Sequence, residues 1–174
     1  MLYTDFLKST VLLAAAEGTA LAFVTIAVAA SQDGTPTIIF AVSWWAVALA
    51  IGAWLGRRPE TTRAIGSLLA GARTSNTMPE IKPGAVLLNR LWLLAVSAVL
   101  AAGLAWLFPQ FSAVVAGGAF LVALAWRKQE PAVTAIEERD GVRFYVVPGS
   151  PFGAIELTRT PGLRRIDSVN GAGL

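Results

Sequence analysis

Apolar and polar positions divide the chain into four long apolar runs: Ser9–Ala30, Pro36–Gly56, Val86–Leu107 and Phe111–Trp126. The first three hold 22, 21 and 22 residues, close to the ~20 that an α-helix needs to cross ~30 Å of hydrocarbon. The fourth holds 16, so it must thin the bilayer locally, stand nearly upright, or re-enter. The breaks at Ser31–Thr35 and Phe108–Gln110 are too short for anything but a tight turn, so each pair of runs predicts a helical hairpin. The pattern predicts an all-α integral membrane protein with four transmembrane helices in a 1–130 domain.

Between the hairpins, residues 57–85 form a polar loop with its own periodicity. Pro59 suits a first helical position and Glu60 suits the first turn of a helix. Ala64, Ile65, Leu68, Leu69 and Ala72 then share a face, with Arg63, Ser67 and Arg73 mostly off it. This predicts a short amphipathic helix at the inner membrane surface. Thr74–Gly84, with Pro79 and Pro83, predicts irregular chain.

Past the fourth run the pattern changes again. Ala132–Glu138 and Val142–Val147 flank Arg139-Asp140-Gly141, a hairpin signal, and Phe152–Thr158 offers a third strand. A small β-meander over 131–160 follows from this. So few residues cannot bury a core alone, so the meander is expected to dock on the inner face of the membrane domain, another copy or a partner. Residues 161–174 predict a flexible tail.

Charge orients these elements. The loop and the start of the third run carry Arg57, Arg58, Arg63, Arg73, Lys82 and Arg90 against Glu60 and Glu80, while the two short connections carry Asp33 alone. The positive-inside rule places the loop and both termini in the cytoplasm. Ala27-Val28-Ala29 resembles a signal-peptidase site, but Asp5 beside Lys8, the length of the apolar run and the interrupting Glu17 favour a retained span. Arg outnumbers Lys 11 to 3, a bias common at high genomic GC content, which points to a bacterial plasma membrane. The sequence pI near 9.8 reflects basic residues flanking spans rather than nucleic-acid binding. Arg57, Arg58, Arg127, Lys128, Arg164 and Arg165 are placed to meet anionic lipid headgroups.

Glu17 breaks the pattern, because it lies inside the first apolar run. An ionisable group at such depth is costly and calls for a partner. Counting from Ser9, Glu17 lies ~12 Å in, and counting from Val86, Arg90 lies ~6 Å in, at ~1.5 Å per residue. The expected partner is therefore Arg90, with Asn89 adding a hydrogen bond. The pair serves either to fix helix register or to couple an ion or proton. Trp54, Trp92, Trp106 and Trp126 fall near span ends, as interfacial belts require, whereas Trp44 and Trp45 lie deeper and are candidates for a lipid or ligand pocket. Small residues form faces suited to close helix packing, Gly18, Gly52, Gly56, Gly117 and Gly118 among them.

With no Cys and no His, the chain offers neither a disulfide nor the usual ligands of zinc, haem or iron–sulfur centres, and no metal or cofactor is expected. There is no P-loop and no HExxH, and a lone intramembrane carboxylate lacks a catalytic set around it. The expectation is a non-enzymatic protein that acts by assembly, as a homo-oligomer or an accessory subunit of a membrane complex. The alternative is a small oligomeric transporter or channel using Glu17 and Arg90.

Overall fold

The computed structural model describes residues 1–32, 34–57, 62–74, 83–147 and 155–161. Four helices are long and apolar enough to cross a membrane. They are α1 (Tyr3–Ser31), α2 (Thr35–Leu55), α4 (Pro83–Leu104) and α5 (Pro109–Trp126), with a short α3 (Arg63–Ala70) between the pairs and α6 (Gln129–Asp140) after α5. This is a multi-span helical membrane protein.

α5 is the central helix. It packs closely along α1 and along α2, whereas α4 meets α1 and α5 more sparsely. Small side chains make the close approach possible: Ala14, Gly18 and Thr25 of α1 and Ser112, Ala113 and Ala116 of α5 are buried. At Gly18 a Cβ would stand 2.8 Å from the Phe120 ring, and at Gly52 it would stand 3.0 Å from the Leu121 carbonyl oxygen. Gly56 approaches the Leu124 carbonyl more closely still. Between helices, Thr25 Oγ1 donates to Ser112 Oγ at 3.0 Å, and Gln110 Nε2 to Thr37 Oγ1 at 3.2 Å. In hydrocarbon such bonds are worth about 0.6 kcal/mol each on average.

α1 starts six residues before the apolar run, at Tyr3. Its 29 residues span about 43 Å at ~1.5 Å per residue, more than the hydrocarbon thickness. Its first turns therefore extend beyond the apolar layer. There Tyr3, Phe6 and Leu7 are buried in a core with Ile65, Val86, Val133, Phe144 and Val146. This core lies at one end of the bundle and joins α1, α3, α6 and the sheet into a basal layer.

Three expectations need correction in this layer. Ala132–Glu138 lies in α6, not in a strand. Ala, Glu and Arg are good helix formers, and the buried Gln129, Val133 and Glu137 recur every fourth residue, which is a helical face. Gly141 does adopt a left-handed conformation, φ +64°, but as the C-cap of α6 rather than as a hairpin turn. The meander is replaced by a mixed sheet in the order β1 (Arg73–Thr74), β3 (Leu157–Pro161), β2 (Val142–Val146). β2 and β3 are antiparallel, while β1 runs parallel to β3 through a stretch expected to be irregular. The N-terminus extends the sheet on its other side, with Leu2 bridging Tyr145 and Val146 N–H donating to Met1 O at 3.0 Å.

α3 begins after Thr62, whose Oγ1 accepts from Ile65 N–H. Its apolar face, Ile65, Leu68 and Leu69, packs into the basal core, so protein covers a face that amphipathicity alone assigns to the membrane surface. Pro59, Glu60, Phe152 and the 162–174 tail lie outside the described residues.

Candidate functional site

Glu17 is buried, with 9% of its surface exposed. Its helix presents it beside the small face that packs on α5, so it points toward protein. The group that meets it is Ser97 on α4, whose Oγ donates to Glu17 Oε1 at 3.0 Å. The same hydroxyl lies 2.8 Å from the Leu94 carbonyl oxygen one turn earlier.

The expected ion pair needs correction. Among the described residues, the ion pairs within 4.0 Å are Arg139–Asp140 and Arg143–Glu137. Arg90 instead shares a cleft with Glu17. The reason is depth. Ser97 lies seven residues beyond Arg90 on α4, about 10 Å further along the helix, which brings it to the level of Glu17. Counted from Val86, Ser97 lies ~16 Å in, beyond the ~12 Å of Glu17, so the depth count does not single it out, and a search limited to charged partners passes over a hydroxyl. Asn89 is half-buried on α4, outside the lining of this cleft.

The cleft has a volume of about 470 Å³ and lies between α1, α4 and α5. Glu17, Ser97 and Arg90 give it polar groups, and Leu94, Val115 and Val122 are among its apolar walls. Gly118 hollows one wall: nothing lies within 4 Å of where its Cβ would stand. The other carboxylate oxygen of Glu17, Oε2, has no hydrogen-bond partner among the described residues. Every sealed side-chain polar atom there has one, so Oε2 opens on the cleft.

Trp44 and Trp45 are seated on α5. Their indole N–H groups donate to α5 carbonyls, Trp44 to Val114 at 3.2 Å and Trp45 to Ala113 at 2.9 Å. Trp45 also meets Phe120 edge-on at 6.4 Å, and Trp44 lies against Gly117. Of the basic residues, Arg57 and Arg127 are exposed beyond the ends of α2 and α5, and Lys128 Nζ donates to the Arg57 carbonyl at 3.1 Å. Arg58, Arg164 and Arg165 lie outside the described residues.

A second buried carboxylate was missed in the sequence. Glu137, 2% exposed, accepts from Phe144 N–H at 2.9 Å and from Arg143 Nη1 at 3.1 Å. It locks the end of α6 onto the start of β2. A strand assignment hides this, because the role depends on a helix reversing at Gly141. Among the described residues, no group of three or more carboxylates is placed to hold a metal ion.

Comparison with known proteins finds no matching family model, and no curated protein or solved structure that matches. The coarse identity of the chain therefore comes from its own geometry, that of a multi-span helical membrane protein.

Proposed function

We propose that the protein acts by assembly, as a homo-oligomer or an accessory subunit of a membrane complex, with its basal layer on the cytoplasmic side. The observation that carries this reading is the seating of α4. Only 11% of its apolar window is buried, against 39% for the window that includes α5. Ala95, Ala102 and Gly103 on α4 are exposed, and a Cβ at Gly103 would meet nothing within 4 Å. Small residues of this kind let a second helix approach closely. The basal layer then offers a surface to a partner on the inner side.

The test is the mass of the particle extracted from its native membrane in mild detergent or nanodiscs. Assembly predicts a complex larger than one chain, which Gly103→Leu dissociates while the melting temperature of the single chain holds. A lone monomer that copurifies with nothing overturns the reading.

A second reading, transport, is favoured by one observation: a carboxylate oxygen that opens on a cleft within the apolar layer. Glu17→Gln in proteoliposomes separates the two readings. Loss of solute or proton flux with the complex intact supports transport, and the absence of any flux in the parent protein removes it.

A further inference from the structure

We propose that the turn joining α4 to α5 is a lipid anchor. Trp106, Leu107 and Phe108 sink into the boundary between headgroups and acyl chains, at the end of the bundle opposite the basal layer. The inference is independent of the assembly reading and needs only the multi-span fold. It starts from exposure. Trp106, Leu107 and Phe108 are 66%, 72% and 60% exposed, three large apolar side chains in succession. Ala105 before them and Pro109 after them are buried, so the turn is held at both ends and presents the three outward.

The backbone of the turn suits that place. The Leu107 and Phe108 N–H groups both donate to the Leu104 carbonyl, at 3.0 and 2.8 Å, and Phe111 N–H donates to the Phe108 carbonyl at 3.0 Å. The Trp106 carbonyl accepts from Gln32 Nε2 at 3.0 Å. Away from water, backbone polar groups must be satisfied within the protein. A turn closed on itself in this way can leave the aqueous phase.

Length sets the depth. α5 holds 18 residues, ~27 Å at ~1.5 Å per residue, slightly less than the ~30 Å of hydrocarbon. At its other end Arg127 is exposed and Lys128 follows, and cations at a helix end stay with the headgroups. With that end pinned, Pro109 lies at the far edge of the hydrocarbon, and the turn before it lies in the interface. Any tilt of α5 draws the turn deeper.

Chemistry names the occupant. Residues 91–126 carry no charge, so the turn offers a charged partner nothing to pair with, and tryptophan is a residue type that membrane interfaces favour. Along the chain Leu104, Phe111 and Val114 are exposed too, so the patch continues the apolar outer surface of α4 and α5. The neighbouring connection is polar, with Ser31, Gln32 and Thr35 exposed. The bond from Gln32 to Trp106 puts the two connections at one level. The level that suits both is the boundary where headgroups meet acyl chains.

Site-directed spin labelling tests this in phosphatidylcholine nanodiscs, which leave both membrane faces open to reagents. The chain has no cysteine, so Leu107→Cys and Phe108→Cys each carry one nitroxide. Thr35→Cys serves as the polar reference and Val99→Cys, at a position 72% exposed on α4, as the lipid reference. Relaxation by oxygen against a water-soluble nickel chelate should place the labels at 107 and 108 about 5–10 Å into the boundary, between the two references. Added phosphatidylglycerol should leave that depth unchanged. Either variant alone decides if the other fails to fold. A label relaxed mainly by nickel, like the one at 35, puts the turn in water and overturns the proposal. A label reached by neither reagent shows that a protein covers the turn, which overturns it as well. Insertion seen only with phosphatidylglycerol refutes the uncharged mode of anchoring.

Discussion

Gly117 and Gly118 are adjacent on α5 yet face opposite conditions, so replacing each by alanine gives a sharp test of the packing. A Cβ at Gly117 would collide with the Trp44 indole, standing 2.6 Å from Cδ1 and 3.0 Å from Cε2. The ring would have to move, giving up its 3.2 Å hydrogen bond to the Val114 carbonyl. That loss is about 0.6 kcal/mol, and forcing an extra carbon into a packed contact adds about 1–3 kcal/mol. The gain in helix propensity from glycine to alanine returns about 1 kcal/mol. Gly117→Ala should therefore destabilise by roughly 0.6–2.6 kcal/mol, a fall in melting temperature on the order of 1–10 °C for a chain of this size. Gly118→Ala meets no neighbour, keeps the propensity gain, and should be neutral or stabilising by up to about 1 kcal/mol. Thermal unfolding of both variants in the same detergent, followed by tryptophan fluorescence, reads the difference. If the two melt together, or if Gly118→Ala is the less stable, the seating of Trp44 on α5 described above is wrong.

Three further predictions concern the bundle and its basal layer. The chain contains no cysteine, so Thr25→Cys with Ser112→Cys should form an intramolecular crosslink under oxidation, seen as a shift on a reducing/non-reducing gel pair; no crosslink would contradict the contact of α1 with α5. Glu137→Ala removes the acceptor of the buried Phe144 N–H and should destabilise the protein by about 1–3 kcal/mol, with faster hydrogen exchange at Phe144; unchanged exchange there would show that the carboxylate does not hold β2 to α6. Gly141→Val forces a β-branched residue into a left-handed conformation and should reduce stability by roughly 1–2 kcal/mol in a denaturant titration; Gly141→Asn should lose less, and an Asn variant as unstable as the Val variant would contradict the left-handed cap.

How much of this was legible in the sequence differs from element to element. The four apolar helices were, because lipid demands a near-continuous apolar run and an internally hydrogen-bonded backbone. The α3 periodicity was also legible, but its destination was not. Ile65, Leu68 and Leu69 form an apolar face whether lipid or protein covers it, and only the position of α1 and the sheet decided for protein. α6 was misread because a left-handed glycine after a short mixed segment marks a helix cap as readily as a hairpin.

At the candidate site, the sequence marked Glu17 by itself, since a charge in an apolar run is conspicuous wherever the helix turns. It did not supply Ser97, because a serine in an apolar helix carries no such signal until a carboxylate is brought within 3.0 Å of it. The sequence by itself thus determined which segments can live in hydrocarbon and which residue is out of place there, both of which follow from local polarity. The tertiary structure decided what each surface touches: α5 at the centre, the indoles of Trp44 and Trp45 on its carbonyls, the basal layer over the first turns of α1, and a cleft at Glu17. Those contacts depend on how helices rotate and approach, which steric fit between distant residues sets and local polarity does not encode.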